Sequence, residues 1–150
     1  MRKEIVVAER IGDAPRPIYL VGNADYEVKN GQHLLTATAV FPSNVPSIED
    51  RMKKHPIPHV NAGDAFFGVW NGIYLICSEE GFYGTLSNKG SYEAHIPIPA
   101  DKRITLELAV TITESLNQGR FDVKANFDAR YTIGSRELMR LFGEGYAIKG

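Results

Sequence analysis

The chain lacks the cysteines of a disulfide-stapled protein, because Cys77 is the only one. No intrachain disulfide can form, so the fold does not call for an oxidising compartment, and we expect Cys77 to be an inert core thiol. An excess of charge of one sign is also missing, since the formal net charge is -1. A nucleic-acid-binding protein would show a basic excess. We therefore expect a cytoplasmic protein with no nucleic-acid partner.

Long hydrophobic runs are missing as well. The most apolar stretch, from Ala62 to Ser78, is interrupted by Asn71 and glycines and is too short to span a bilayer. The apolar run near the N-terminus stops at Glu9, too early for a signal peptide. The sequence has no glycine-rich phosphate loop, no nucleophile elbow and no zinc-ligand spacing. We expect neither a membrane span nor a metal site.

One long helix dominates what is present. Asn61 stands where a helix N-cap would stand, and Asp64 follows three residues later, as in a capping box. From Ala62 onward almost every side chain is apolar or small on all faces, which is typical of a buried helix. Gly81 provides a C-terminal stop. The sequence therefore predicts a central helix over about residues 62–79.

Segments of alternating polar and apolar residues surround this helix. They predict strands over residues 18–27, 34–41, 83–88, 91–98, 104–113, 121–131 and 137–148. The turn signals between them are Lys29-Asn30-Gly31, Lys89-Gly90 and Asn117-Gln118-Gly119. Residues 1–17 are expected to form an arm or edge strand, and the proline-bearing loop 42–58 has room for a short helix. For the last segment, a helix over residues 136–142 is an open alternative.

Such strands form an antiparallel sheet with one polar and one apolar face. The apolar face can be buried on the single helix. We therefore predict one α+β domain over residues 1–150, in which the sheet wraps the helix.

The loop before the helix, His55 to Gly63 (HPIPHVNAG), and the polar Asn71 within the helix are similar to the corresponding parts of the hot-dog fold acyl-thioester enzymes. The order of elements from about Ile18 to the end resembles the same family. Within it, the chain looks most like the FcoT-type long-chain acyl-CoA thioesterases, which work without a catalytic carboxylate. Hot-dog dehydratases pair a loop histidine with a helical carboxylate, and this chain departs from them in having Asn71.

The resemblance implies hydrolysis of an acyl thioester, linked to coenzyme A or to an acyl carrier protein, as in fatty acid metabolism. It implies no cofactor, because coenzyme A or phosphopantetheine would be part of the substrate. It also implies a homodimer or a dimer of dimers, because hot-dog sheets pair at an edge and form sites between protomers. The alternatives are dehydration of a 3-hydroxyacyl thioester and a non-catalytic module that binds acyl thioesters.

Four residues are candidates for catalysis. Asn71 could orient water or donate to the thioester carbonyl, although an amide cannot act as a base. His59 or His55 could take up a proton near neutral pH. Asp64 could orient that histidine or be the base itself. Each has a plainer alternative: a structural hydrogen bond for Asn71, an ordinary loop position for the histidines and a first-turn charge for Asp64.

The substrate-binding candidates lie in the same stretch. Free N–H groups at the helix N-terminus could stabilise a developing oxyanion, and Gly63 would let the carbonyl come close. The others are Asn61, Phe66, Phe67, Trp70 and Tyr74, of which Asn61 is also a plain N-cap and Tyr74 also a core aromatic. Gly68 and Gly72 share one helix face, so we expect packed strands, a partner helix or an acyl chain close against it.

Overall fold

The computed structural model describes residues 2–12, 14, 16–54, 59–114 and 123–149. Their helices and strands, in chain order, are β1 (Arg2–Val6), α1 (Val7–Arg10), β2 (Leu20–Lys29), β3 (Gln32–Ala39), α2 (Pro46–Lys54), α3 (Ala62–Glu80), β4 (Phe82–Ala94), β5 (Ile104–Glu114), β6 (Val123–Ile133) and β7 (Arg136–Lys149). The strands form one seven-stranded sheet in the order β1-β2-β3-β5-β6-β7-β4. All of its pairings are antiparallel.

The antiparallel sheet packs against the long helix α3. Its inner face is apolar and buried, with Leu35 on β3, Leu108 on β5 and Ala129 on β6. The residues of α3 that meet this face, such as Val69 and Leu75, are fully buried. The outer face of β5 and β6 carries charged side chains, so the predicted polar and apolar faces are confirmed.

Local signals in the sequence position several elements correctly. The β2–β3 hairpin turns at Asn30 and Gly31, both with positive φ, as an Asn-Gly turn requires. Gly81 ends α3 in the left-handed conformation, and its N–H bonds to the carbonyls of Cys77 and Ser78. The N-terminal segment is an edge strand, β1, followed by the short helix α1. The loop helix is present as α2, and residues 136–142 belong to the strand β7.

The predicted turn at Lys89-Gly90 is wrong. The strand β4 runs through it from Phe82 to Ala94, with Gly90 opposite Gly143 of β7. Gly90 lets the Phe66 ring of α3 pack close to the strand, because a Cβ at this position would lie only 3.0 Å from that ring. The strand also ends at Ala94, short of the predicted residue 98. The predicted turn at 117–119 lies outside the described residues.

The two glycines of α3 let the helix sit close to the sheet. A Cβ on Gly68 would overlap the hydroxyl oxygen of Tyr131, which donates a 2.5 Å hydrogen bond to the Ala65 carbonyl. A Cβ on Gly72 would lie 2.8 Å from the end of the Leu108 side chain. Packed strands are thus what lies against this face.

Both ends of α3 are fastened to the β2 region. The Tyr19 hydroxyl, just before β2, donates to Asp64 in the first turn of α3. The Tyr26 hydroxyl, within β2, donates to Glu80, the last residue of α3, and lies 2.6 Å from His33 Nδ1. Both tyrosines are buried. No helix among the described residues has the length and apolar character needed to cross a membrane.

Candidate functional site

The N-terminus of α3 offers free backbone donors. Asn61 is the N-cap: its side-chain oxygen accepts the Asp64 N–H at 2.8 Å. Its carbonyl accepts the Ala65 N–H at 3.1 Å. Ala62 and Gly63 belong to the first turn of α3, whose N–H groups have no acceptor within the helix. Gly63 is exposed, and a Cβ there would meet only Asn61 Oδ1, at 3.2 Å. A ligand oxygen therefore has access to this turn.

A pocket of about 320 Å³ lies beside this turn. Ala62, the first residue of α3, lines it together with His59 from the preceding loop. Tyr92 and His95, at the end of β4 and just beyond it, and Met139 of β7 line it from the sheet. The other lining residues are Val60, Ala94, Ile96, Pro97 and Ile98. The pocket thus combines a mainly apolar wall with two imidazoles at the positive end of a 19-residue helix.

His95 is held in place from β7. Its Nε2 lies 3.0 Å from Glu137 Oε2, and Arg130 Nε lies 3.4 Å from the other oxygen of that carboxylate. The backbone N–H groups of His95 and Ile96 both donate to the carbonyl of Leu138, at 2.9 and 3.1 Å. The side chains of His95 and Glu137 are 42% and 34% exposed. The imidazole is therefore fixed in orientation and still accessible.

Asp64 lies among other partners. It is buried, and its Oδ1 accepts the Tyr19 hydroxyl and, at 3.1 Å, the Ser47 hydroxyl of α2. Its Oδ2 has no hydrogen-bond partner among the described residues. Burial, and then the hydrogen bond to Asp64 and its charge, raise the pKa of Tyr19 well above the usual tyrosine range. Asp64 does not line the pocket, so it is not brought together with His59.

Asn71 is enclosed in the core, at 1% exposure. Its Oδ1 accepts the Tyr19 N–H at 2.8 Å, and its Nδ2 donates to the Pro17 carbonyl at 3.4 Å. Asn71 and Asp64 lie about two helical turns apart on one side of α3, and both bind Tyr19. The amide therefore anchors the segment that leads into β2, and a catalytic role for Asn71 stays a prediction.

The aromatic candidates form a half-buried cluster on α3. The Phe66 ring meets the Tyr92 ring edge to face, with centroids 6.4 Å apart, and Phe67 meets Trp70 in the same way at 5.1 Å. Tyr92 also lines the pocket, so the cluster is continuous with the pocket's edge. Trp70 Nε1 is buried without a hydrogen-bond partner in the described part of the chain. Tyr74 is half-buried against the core.

The structure therefore brings together only part of the predicted site. His59 and the first turn of α3 share the pocket, whereas Asp64 and Asn71 face Tyr19. His55 lies outside the described residues. Sequence reasoning missed His95, Glu137 and Tyr92, because no local spacing connects a residue beyond β4 with one on β7. No group of three His, Cys, Asp or Glu side chains among the described residues could hold a metal ion.

Comparison with known proteins supports the fold through structure alone. No family profile and no curated protein matches the sequence. A candidate thioesterase, yhdA of Lactococcus lactis, matches with a TM-score of 0.56 and 8% identity, over 84% of this chain and 90% of its own. The HP0420 homologue of Helicobacter felis matches with a TM-score of 0.55 and 11% identity, over 97% and 89% of the two chains.

Two further solved structures are also similar to this chain. The PaaI protein from the phenylacetic acid degradation operon of E. coli matches with a TM-score of 0.50 and 12% identity, over 93% of this chain and 86% of its own. A thioesterase superfamily protein, RHA08564, matches with a TM-score of 0.48 and 16% identity, and this chain spans 54% of its length. The fold of the chain is the hot-dog fold, as predicted.

Proposed function

We propose that the chain hydrolyses an acyl thioester in the pocket at the N-terminus of α3. One observation carries this proposal: two imidazoles, His59 and His95, line a mainly apolar pocket beside the N–H groups of Ala62 and Gly63. A thioester needs an apolar space for its acyl group, donors for its carbonyl oxygen and a base for water. All three requirements converge at this turn, in a fold shared with a candidate thioesterase.

The carbonyl oxygen would accept hydrogen bonds from the first turn of α3. When water attacks the carbonyl carbon, negative charge develops on that oxygen. Free N–H groups at a helix N-terminus stabilise such charge, and the helix dipole adds to the effect. Gly63 leaves the approach open, since a Cβ there would meet only the Asn61 side chain. The predicted roles of Asn61 and Gly63 fit this geometry.

The base would be a histidine of the pocket. Imidazole takes a proton from the attacking water and later returns it to the departing sulfur, so that the C–S bond breaks and a carboxylic acid and a thiol are released. His59, the predicted base, is one candidate and His95 is the other. Asp64 lies on another side of the helix, which disfavours the dehydratase mechanism.

The pocket size bears on the acyl group. A volume of about 320 Å³ is near the lower end of the range for ligand pockets, which favours a short acyl group within the pocket. A longer chain would continue past Tyr92 along Phe66, Phe67 and Trp70. Coenzyme A or the phosphopantetheine arm of a carrier protein would lie outside. The resemblance to FcoT-type long-chain thioesterases stays a prediction that acyl-length preference will test.

The outer edge of β4 is the proposed site of homodimer formation. The inner neighbour of β4 is β7, and among the described residues its other edge pairs with no strand. Residues 91–94 on that edge are exposed, and Tyr92 and Ala94 also line the pocket. An unpaired edge is a site for strand addition. A homodimer joined at β4 would therefore border the site.

The test is thiol release from a panel of short- to long-chain acyl-CoAs, with the purified chain and its His59→Ala variant. Turnover that peaks at one acyl length and falls in the variant supports the proposal. If no acyl-CoA and no acyl carrier protein substrate is hydrolysed, the proposal fails. An enoyl thioester hydration assay, together with thermal stabilisation by acyl-CoA, then separates dehydration from binding alone.

A further inference from the structure

We propose that His95 is the general base of this pocket and that Glu137 is its positioning residue. The inference rests on the proposed function and deepens it. Three contacts hold the short segment after β4: the His95 ring to the carboxylate of Glu137, and two backbone hydrogen bonds to the Leu138 carbonyl. Arg130 in turn contacts the second oxygen of Glu137. An isolated surface ion pair contributes little stability. A histidine held in this way at the wall of a pocket is instead arranged for a specific orientation.

The bond to Glu137 fixes which nitrogen of His95 can accept a proton. With Nε2–H donated to Glu137 Oε2, the lone pair of the neutral ring is on Nδ1. A carboxylate on one ring nitrogen also stabilises the imidazolium that forms when the other takes up a proton, as in catalytic triads. Arg130, on the second oxygen of Glu137, keeps the carboxylate turned toward His95.

The proposed hydrolysis needs only water and the thioester as reactants. A water molecule bound beside His95 gives a proton to Nδ1, and its oxygen bonds to the thioester carbonyl carbon. The tetrahedral intermediate, with its oxyanion at the N–H groups of Ala62 and Gly63, then expels the sulfur. The proton on His95 passes to the leaving thiolate. The products are the free carboxylic acid and the thiol, and no other reactant is consumed.

His33 offers a contrast within the same chain. It lies near the other end of α3, where its Nδ1 meets the Tyr26 hydroxyl at 2.6 Å and lies 3.5 Å from Glu80. Its side chain is 14% exposed and does not line the pocket. A histidine–glutamate contact is thus also present near the other end of α3, but His33, unlike His95, does not line the pocket at the N-terminus of α3.

The experiment compares steady-state kinetics of His95→Gln, Glu137→Ala and Glu137→Gln with the wild-type chain. We expect kcat of His95→Gln to fall on the order of 10²-fold or more, with KM changed less than about threefold. Glu137→Ala should lose at least about tenfold in kcat. Glu137→Gln, which keeps an acceptor for Nε2–H but lacks the negative charge, should recover only part of that loss. Exogenous imidazole should partly restore the thioesterase activity of a His95→Ala variant.

A matched control is the ion pair Asp128–Arg140. It joins the same two strands, with contacts of 2.7 and 3.1 Å and side-chain exposures of 41% and 40%, and does not line the pocket. Asp128→Ala should therefore leave kcat unchanged. Since the side chains at positions 95 and 137 are partly exposed, the variants should melt within a few degrees of the wild type.

The possible failures are distinguishable. A wild-type chain that hydrolyses no acyl thioester overturns the proposed function and this inference with it. A wild-type chain that is active and a His95→Gln variant that retains full kcat overturn the inference alone and leave His59 as the base. Equal losses in Glu137→Ala and Glu137→Gln, with no imidazole rescue, contradict the positioning role.

Discussion

Replacing Gly68 with alanine tests how tightly α3 sits on the sheet. A Cβ at this position would overlap the Tyr131 hydroxyl oxygen, whereas the nearest ring carbon would be 3.4 Å away. Tyr131 cannot easily move, because it is fully buried and its ring packs edge to face on Phe41 with centroids 5.6 Å apart. Its hydroxyl is also bound to the Ala65 carbonyl.

The expected magnitude is a balance of two terms. Overpacking of a tight core costs about 1–3 kcal/mol, and an overlap this deep belongs near the upper end. Replacing glycine with alanine within a helix stabilises the helix by about 1 kcal/mol. Gly68→Ala should therefore lower the free energy of unfolding by about 2 kcal/mol. In a Tyr131→Phe background the clashing oxygen is gone, so the same change should raise it by up to about 1 kcal/mol.

The assay is a double-mutant cycle measured by urea unfolding. Tyr131→Phe alone should cost about 1 kcal/mol for its lost hydrogen bond. The coupling between the two positions should be about 3 kcal/mol, with a reversal of sign for Gly68→Ala between the backgrounds. If Gly68→Ala costs the same in both backgrounds, the hydroxyl is not what excludes a side chain, and the packing argument is refuted.

Three further outcomes are expected. Asn71→Ala should cost about 2–4 kcal/mol of unfolding free energy, because it leaves the buried Tyr19 N–H without an acceptor and opens a cavity; unchanged stability with lost turnover would instead favour the catalytic role. Gly63→Val should change the free energy of unfolding by less than about 1 kcal/mol. If the thioester carbonyl approaches that turn, the same variant should lower thioester turnover at least about tenfold. Full turnover would place the oxyanion elsewhere. Burial and neighbouring carboxylates raise the pKa of Tyr19 and Tyr26 in the folded chain, so their contribution to stability should be fully present below pH 10. Above pH 10 the unfolded chain releases these protons first, and the free energy of unfolding should fall by up to about 1.4 kcal/mol per pH unit for each tyrosine. Urea midpoints measured from pH 9 to 11 should fall less steeply in Tyr26→Phe, and equal slopes would contradict this assignment.

Sequence reasoning succeeded where the signal is local. The start of α3 could be predicted because Asn61 has a short side chain that caps its own helix, and the end because Gly81 tolerates a left-handed conformation. The same holds for the Asn30-Gly31 turn, whose two residues alone specify the geometry. Each of these features depends on neighbours within one turn of chain.

Sequence reasoning failed at Gly90, because a glycine in a turn and a glycine that admits a close neighbour look the same in the sequence. A glycine after lysine predicts a turn, but a missing side chain also admits a close neighbour. Here the ring of Phe66 occupies that space, and β4 continues. Only the packing of α3 on the sheet distinguishes the two uses.

The candidate site was predicted in part for the same reason. His59 and the first turn of α3 are adjacent in sequence, so their common location could be expected. His95 depends on Glu137 and Leu138, which β7 brings beside it through strand pairing. The partner of Asn71, the Tyr19 backbone, is likewise far away in sequence, so no spacing rule could separate an anchoring amide from a catalytic one.

The attachment of α3 at both ends has a consequence for local opening. Since Tyr19 binds Asp64 and Asn71 and Tyr26 binds Glu80, the helix cannot fray without releasing the β2 region. We expect α3 and β2 to exchange their amide hydrogens as one cooperative unit, at a rate set by unfolding of the whole chain. The N–H groups of Ala62 and Gly63, which lie in the first turn and have no acceptor within the helix, should exchange fast. The protein would thus present exchangeable first-turn amides on an element that opens only with the whole chain, already in position when a ligand arrives.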